Sequence, residues 1–287
     1  MIVVTGYASL DHVAVLDGSP RPGRTTTILD RPENAWPRLG GAPAYVASAL
    51  VLNGVSDVCP VTWIGADPGG DTFRAQLAER GIEAAGLAIV AGARTPVSIL
   101  AYEPDGGCIC LYHPGIPSDL TLTEEQQALV AAANWVCVTI GPIEVTRAVL
   151  RALRPEARLA WIVKNDPRAL PPDLARQLAG RADLICCSRA ERAFVDSALS
   201  ANPRRGRILI ETQGGEGATL IRDGQATSVP TNPIAVGDPT GAGDTFAGGV
   251  LASLAGGETD PTAILQAGHR AAAALLAGRR TLEMESA

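Results

Sequence analysis

Lysine is nearly absent from this chain. Lys164 is the only one among 287 residues, and arginine supplies the other basic charges. Almost all chemistry that runs through a lysine amine is excluded at once. The P-loop goes with it: that motif needs Gly-Lys-Ser/Thr, and Lys164 follows Val163. There is no CxxC pair, so neither a zinc ribbon nor a thioredoxin-like motif is supported. No apolar run is clean enough to cross a bilayer. The charge-free stretch "QQALVAAANWVCVTIGPI", matched in length by none but residues 39–56, carries Gln, Asn, Gly and Pro, and reads as a helix end plus a buried strand. The opening "MIVVTGYASLD" lacks a basic region and has only a brief apolar run, so no signal peptide is expected. A net charge of −6 argues against a nucleic-acid partner, because phosphate backbones call for a basic surface.

What is present belongs to a globular protein. Hydrophobic residues make up 46% of the chain and charged residues 19%, enough to bury a large core. Cys59, Cys108, Cys110, Cys137, Cys186 and Cys187 mostly sit in apolar runs such as "WVCVTI" and "LICCS". They are expected to be buried, reduced thiols of a cytosolic protein.

Short apolar runs alternate with helical patterns. "IVVTG" reads as a first strand, and "APAYVASALVLNG" as a helix closed by Gly54. "VCPVTWIG" is strand-like, and "DTFRAQLAERG" is an amphipathic helix with Asp71 as its N-cap. The alternation continues through "NWVCVTIG", "EVTRAVLRAL", "RLAWIVKN", "PDLARQLAG", "ADLICCS" and "AERAFVDSAL" to "RILIET". Such a pattern implies an α/β protein whose mostly parallel sheet is covered on both faces. Two stretches break it. "TPVSILAYEPDGGCICLYHPG" reads as a hairpin around "EPDGG", and "HVAVLDGSPRPGRTTTILDRP" as strand–turn–strand. Together they predict a small sheet of residues 12–36 and 94–112, inserted into a body of residues 1–11, 37–93 and 113–287.

Open parallel sheets bind ligands where strand ends enter helices. The most informative such loop is "GDPTGAGDTFAGGV", residues 237–250. Phe246, Val250 and Leu254 recur at helical spacing, so "GAG" opens a helix. A helix N-terminus leaves N–H groups unpaired, and glycine lets a ligand reach them, so the loop suits an anion, above all a phosphate. The Rossmann fingerprint fails here because Phe246 stands where its last glycine belongs. Asp244 lies at the rim of the anion hole. It either takes a proton from a hydroxyl attacking the phosphate, or merely caps the helix.

"DPTGAGDTFAGG" resembles the C-terminal signature of the PfkB, or ribokinase-like, family of carbohydrate kinases, D-T-x-G-A-G-D-x-F. "GYASLDHV", "RLGGAPAYVASALVLNG", "IGADPGGDTFRAQLAERGI" and "ETQGGEGA" resemble further family segments and fall in family order. The resemblance implies a ribokinase-like three-layer sandwich with a small inserted β-sheet lid. It implies transfer of the γ-phosphate of ATP to a hydroxymethyl group of a sugar. Asp244 would be the catalytic base, with the N–H groups of Gly241, Ala242 and Gly243 as the anion hole. Asp11, Gly40, Gly41 and Tyr45 would face the substrate, and Thr212, Gly214 and Gly217 the nucleotide. Mg²⁺ would arrive with ATP, with Glu191 reaching it through water, and Asp238 and Thr240 resemble a loop that binds K⁺ in some members. A cytoplasmic enzyme is implied, with a small-molecule partner, no membrane, and a homodimer through the lid.

The chain departs from the family pattern at three places. Tyr45 stands where an asparagine usually contacts substrate. The N-x-x-E motif reads "SRAE", with Ser188 in place of asparagine. The D-x-N-x-R strand end reads "KNDPR", with Lys164 and Asp166 at its first and third positions. On substrate, "GGAPA" resembles fructokinase-like members, whereas "CICLYHPGIPSD" resembles nucleoside kinases of the same family. Tyr45 and Tyr112 either stack on a base or pack beneath the lid. His113 is given no catalytic role, and His269 a packing or solvent one. The readings to be separated are a sugar kinase, a ribonucleoside kinase, and a non-catalytic sugar sensor on a kinase scaffold.

Overall fold

The structure, a computed structural model, describes residues 1–31, 36–199 and 204–285. Residues 32–35 of the expected lid, and 200–203, 286 and 287 of the expected body, lie outside it. The first half of the chain forms β1 (Ile2–Thr5), β2 (Ser9–Leu16), β3 (Ile28–Asp30), β4 (Arg38–Gly40), α1 (Ala42–Leu52), β5 (Val58–Gly65), α2 (Pro68–Glu79), β6 (Leu87–Val90), β7 (Val97–Tyr102), β8 (Cys108–His113), α3 (Glu124–Ala132) and β9 (Trp135–Val138). The second half adds α4 (Ile143–Ala152), β10 (Arg158–Ile162), α5 (Pro172–Arg181), β11 (Leu184–Ser188), α6 (Arg192–Leu199), β12 (Ile208–Thr212), β13 (Ala218–Arg222), β14 (Gln225–Val229), α7 (Ala242–Ala255) and α8 (Pro261–Glu285).

The central sheet has the order β14-β13-β12-β11-β10-β9-β1-β5-β6. Its pairings are parallel from β6 through β12, and only the β12–β13–β14 edge is antiparallel. Alternate residues of each strand feed two separate apolar layers. On one side Val58, Ile64, Cys137 and Ile210 meet α1, α2, α7 and α8 through Leu50, Phe73, Val250 and Leu265. On the other, Val61, Trp63, Val136 and Ile185 meet α3 to α6 through Val130, Val149, Leu178 and Val195. Each fully buried Leu or Ile here is worth roughly 1.5–3 kcal/mol. This is the three-layer sandwich the sequence implied.

A second sheet stands apart, with β2 at its centre. It runs β3-β2-β7-β8, and β4 also pairs with β2. Its strands therefore span 9–16, 28–30, 38–40, 97–102 and 108–113. β2 and β7 are parallel, while β7 and β8 form an antiparallel hairpin. The Glu103 N–H closes that hairpin on the Gly107 carbonyl at 2.8 Å. Among the described residues the sheet's own apolar cluster is Val13, Leu100 and Tyr102, whereas Leu10 and Leu39 at its base belong to the body.

Two local expectations are corrected. α2 starts earlier than expected: its N-cap is Asp67, whose carboxylate accepts the Gly70 N–H at 2.9 Å, and Pro68 opens the helix. Asp71 lies in the first turn. Proline at the first helical position has no N–H to leave unpaired, which favours this earlier start. Of the cysteines, Cys59, Cys137, Cys186 and Cys187 are buried, but Cys108 and Cys110 are exposed. They sit on β8, a sheet edge with all six residues exposed. No helix among the described residues is long and apolar enough to cross a membrane.

Candidate active site

The glycine loop does open a helix. Gly241, at φ 75°, is the N-cap of α7, with no side chain capping it. Phe246, Val250 and Leu254 bury that helix against the sheet and α8. Among the described residues, the N–H groups of Gly241, Gly243 and Asp244 meet no backbone carbonyl. The Ala242 N–H donates to the Pro239 carbonyl at 3.1 Å. Open donors at the positive end of a 14-residue helix make a site for an anion.

Asp244 is the third residue of α7. Burial pushes its carboxyl up to about 6; Lys164 pulls it down, and the charges of Glu191 and Asp11 add to the rise. No hydrogen bond contributes to this shift. The group is ionised at neutral pH, yet more basic than an ordinary carboxylate, which suits a proton acceptor. Three charged groups from distant segments thus act on Asp244: Asp11 from β2, Lys164 after β10 and Glu191 after β11.

Asp11, Gly40, Gly41 and Tyr45 lie together. Asp11 is 3% exposed and packs on Gly40, where a Cβ would fall on its carboxylate. Its Oδ1 accepts from the Ser9 hydroxyl at 2.7 Å, and its Oδ2 from the Tyr45 hydroxyl at 3.3 Å. Burial raises its pKa, with Ser9, Arg38, Tyr45 and Ser98 opposing. Gly41 caps α1, and Tyr45, in the first turn of that helix, is 9% exposed. Burial pushes its phenol up to about 12. Tyr45 is therefore enclosed between Asp11 and the loop at Gly241, and presents no open face for stacking.

β12 and β13 turn through Thr212, Gly214 and Gly217. The Gln213 N–H donates to the Gly217 carbonyl at 2.9 Å, and Arg189 pairs with Glu216 at 2.7 Å. Glu191 holds two segments together. Its Oε2 accepts from the Ser188 N–H and hydroxyl at 2.9 and 2.8 Å, and its Oε1 from the Asn165 N–H at 3.2 Å. Ser188 and Glu191, the "SRAE" pair, thus form a reciprocal cap.

Asp238 is buried and sits between two guanidinium groups. Arg38 pairs with it directly, and Arg279 lies 3.5 Å from the same oxygen. Arg279 also donates to the Asp238 carbonyl at 2.8 Å. Burial works against the charge, but Arg38, Arg279 and Thr240 outweigh it and hold the carboxyl below its ordinary value. The Thr240 hydroxyl shares a 2.6 Å hydrogen bond with that of Tyr102.

Sequence reasoning missed Arg38, Tyr102 and Arg279. Arg38 lies two residues before the Gly-Gly pair, inside the quoted family segment, which was a usable signal. Arg279 is 41 residues beyond Asp238, so nothing local announced it. Tyr112 is 41% exposed, and its ring lies 6.0 Å from that of Tyr7, which was not singled out. His269 packs against Phe246, with ring centroids 5.3 Å apart.

Comparison with known proteins bears on the family and the fold. The model for the pfkB family carbohydrate kinases matches residues 1–285. A fructokinase from Klebsiella pneumoniae is 31% identical over 237 residues, covering 75% of this chain and 76% of its own. A nucleoside kinase from Methanothermobacter thermautotrophicus is 24% identical, covering 87% and 81%. Among solved structures, an E. coli protein described as a ribokinase II in complex with ATP and Mg²⁺ superposes with a TM-score of 0.77 at 17% identity, over 95% of this chain and 91% of its own. The chain belongs to the pfkB family of carbohydrate kinases, phosphotransferases that act on sugar hydroxyl groups.

Proposed function

We propose that the protein transfers the γ-phosphoryl group of ATP to a hydroxymethyl group of a sugar or sugar-containing small molecule, with Asp244 as the base. The observation that carries this is the pairing of open N–H groups at the start of α7 with a carboxyl raised to about 6 one turn in. Asp11 and the Gly40–Gly41 backbone orient the acceptor. Asp244 takes the hydroxyl proton as the oxygen attacks the γ-phosphorus. The bond from that phosphorus to the bridging oxygen breaks, and ADP departs with the electron pair. The N–H groups of Gly241 and Gly243, and the shared one of Ala242, face the charge on the transferring group. Thr212, Gly214 and Gly217 line the nucleotide.

Among the described residues there is no cluster of three or more metal-ligating side chains. Mg²⁺ would be brought by ATP and held by phosphate oxygens and water, where it would neutralise phosphate charge. Glu191, with lone pairs to spare, would order one of those waters. The loop at Asp238 fits K⁺ poorly. Its carboxylate and carbonyl are both engaged by guanidinium groups, which already supply positive charge.

The second sheet is read as a lid that excludes water, which would otherwise accept the phosphoryl group. Ile99 and Leu111 are cross-strand partners, 47% and 60% exposed, and would meet a second copy in a homodimer. The cytoplasm, where ATP is available, is the compartment this reading calls for.

A coupled ADP-release assay across sugars and nucleosides tests the proposal. Turnover of no acceptor with Mg·ATP would end it. One observation favours a nucleoside as a second reading: the exposed Tyr112 beside Tyr7 offers a stacking face near Asp11. Tyr112→Ala should then weaken nucleoside binding by about 1–3 kcal/mol, by analogy with base stacking elsewhere, and free sugars far less.

A further inference from the structure

The loop 237–244 is fastened to the second sheet at two points. Arg38 of β4 pairs with Asp238, and Tyr102 of β7 shares its hydroxyl with Thr240. Both second-sheet residues are buried, at 7% and 6% exposure. Arg38 is also the ladder partner of Asp11, the residue read as holding the acceptor.

Apolar packing does not duplicate these ties. Leu10 and Leu39 anchor the base of the sheet in the body, but Val13, Leu100 and Tyr102 form a cluster of their own. A segment joined to the body mainly by polar side-chain bonds is the kind that opens locally. Arg38 Nε and Nη2 are buried with no partner. Unpaired buried donors are costly, so a shift of the sheet that gave them acceptors would be favoured.

Resting on the kinase reading above, we propose that Tyr102 and Arg38 are positioning residues that make the anion hole respond to the second sheet. An acceptor held at Asp11 settles β2 and β4. Tyr102 and Arg38 carry that order to Thr240 and Asp238, and so to the N–H groups that open α7. A bound acceptor thereby holds the anion hole more firmly in place, and water is a poor substitute for it.

The test uses full-length protein with Tyr102→Phe, Thr240→Val and the double variant. Each keeps its shape and loses one hydroxyl. With the wild type, a bound acceptor should tighten a non-hydrolysable ATP analogue by about fivefold or more, a typical coupling between linked sites. Each single variant should lose that tightening. Its kcat should fall about three- to tenfold, the range of one lost hydrogen bond, while the acceptor KM stays within about twofold. The double variant should be no worse than the poorer single. Tightening that survives in Tyr102→Phe, losses that multiply in the double variant, or a rise confined to KM would each overturn the proposal. Should the wild type phosphorylate no acceptor, the kinase reading fails on its own. Amide exchange then decides the coupling: Tyr102→Phe should speed exchange at residues 240–244 and leave β1 untouched. Unchanged exchange there would overturn it.

Discussion

The ring of Tyr45 lies against the Cα of Gly241, so closely that a Cβ at position 241 would fall within it. Gly241 is also at φ 75°, where a side chain is strained in any surroundings. One aromatic residue of α1 thus sets the backbone that opens α7. Gly241→Ala should overpack this contact and lower stability by roughly 1–3 kcal/mol, read by thermal melting. It should also displace the adjacent N–H groups. Nucleotide affinity and kcat should therefore fall further than a melting shift of that size explains. A normal kcat would mean that the Tyr45 contact does not shape the anion hole.

Asp244→Asn should leave the fold intact and reduce kcat on the order of 10²–10⁴-fold, the usual worth of a positioned base. Its effect on stability has a defined sign. The folded carboxyl titrates near 6 and the unfolded one near 3.8, so the folded state holds the extra proton. That contribution is full below the unfolded value and is lost as pH rises through about 6. At pH 8 the ionised group costs roughly 1–3 kcal/mol. Melting of Asp244→Asn should thus lie above wild type at pH 8 and match it at pH 4. Turnover within about threefold of wild type would remove Asp244 from the role of base.

Wild-type kcat/KM should climb with pH through about 6 and level off above it, as Asp244 of the free enzyme loses its proton. Lys164 is the one group that pulls this value down. Lys164→Met should move the rising limb to higher pH, so the variant loses more activity at pH 6 than at pH 8. Equal losses at both would show that the lone ammonium does not act through Asp244.

Asp238→Asn leaves the buried Arg38 and the half-buried Arg279 without their carboxylate. Breaking a buried pair from one side costs about 3–5 kcal/mol. Because the Asp238 carboxyl is held low, its stabilisation is present above the unfolded value and disappears as pH falls toward the folded one. Wild type and variant should therefore converge in acid. With the loop's positive charge supplied from within, wild-type turnover should be the same in sodium and potassium buffers. Strong activation by K⁺ would show that Arg38 and Arg279 leave room for it.

Features with a local or periodic cause were legible from the residues. The strands came from continuous apolar runs, the β7–β8 hairpin from "EPDGG", and the start of α7 from glycine before a four-residue apolar spacing. The start of α2 was misplaced because both Asp67 and Asp71 suit a cap. What decides is a proline at the next position, and only Asp67 has one. The exposure of Cys108 and Cys110 could not be read from "CICLYH", which scores as core although it forms an edge strand. The guanidinium pair on Asp238 joins residues 38, 238 and 279, and no window along the sequence contains all three. Tyr45 was noticed as a departure, but its two contacts, Asp11 and Gly241, exist only once α1 and α7 have packed.

The central sheet has one more consequence, for the order in which the chain acquires structure. β1 is flanked by β5 and β9, so Ile2 pairs with Val58 on one side and Trp135 on the other. Once made, β1 must wait until β9 has been synthesised before its second neighbour exists. Pairings this distant are slow to form, and they leave apolar strand edges bare in the interval. The nascent chain should consequently depend on chaperones until β9 has emerged, whatever the stability of the finished enzyme.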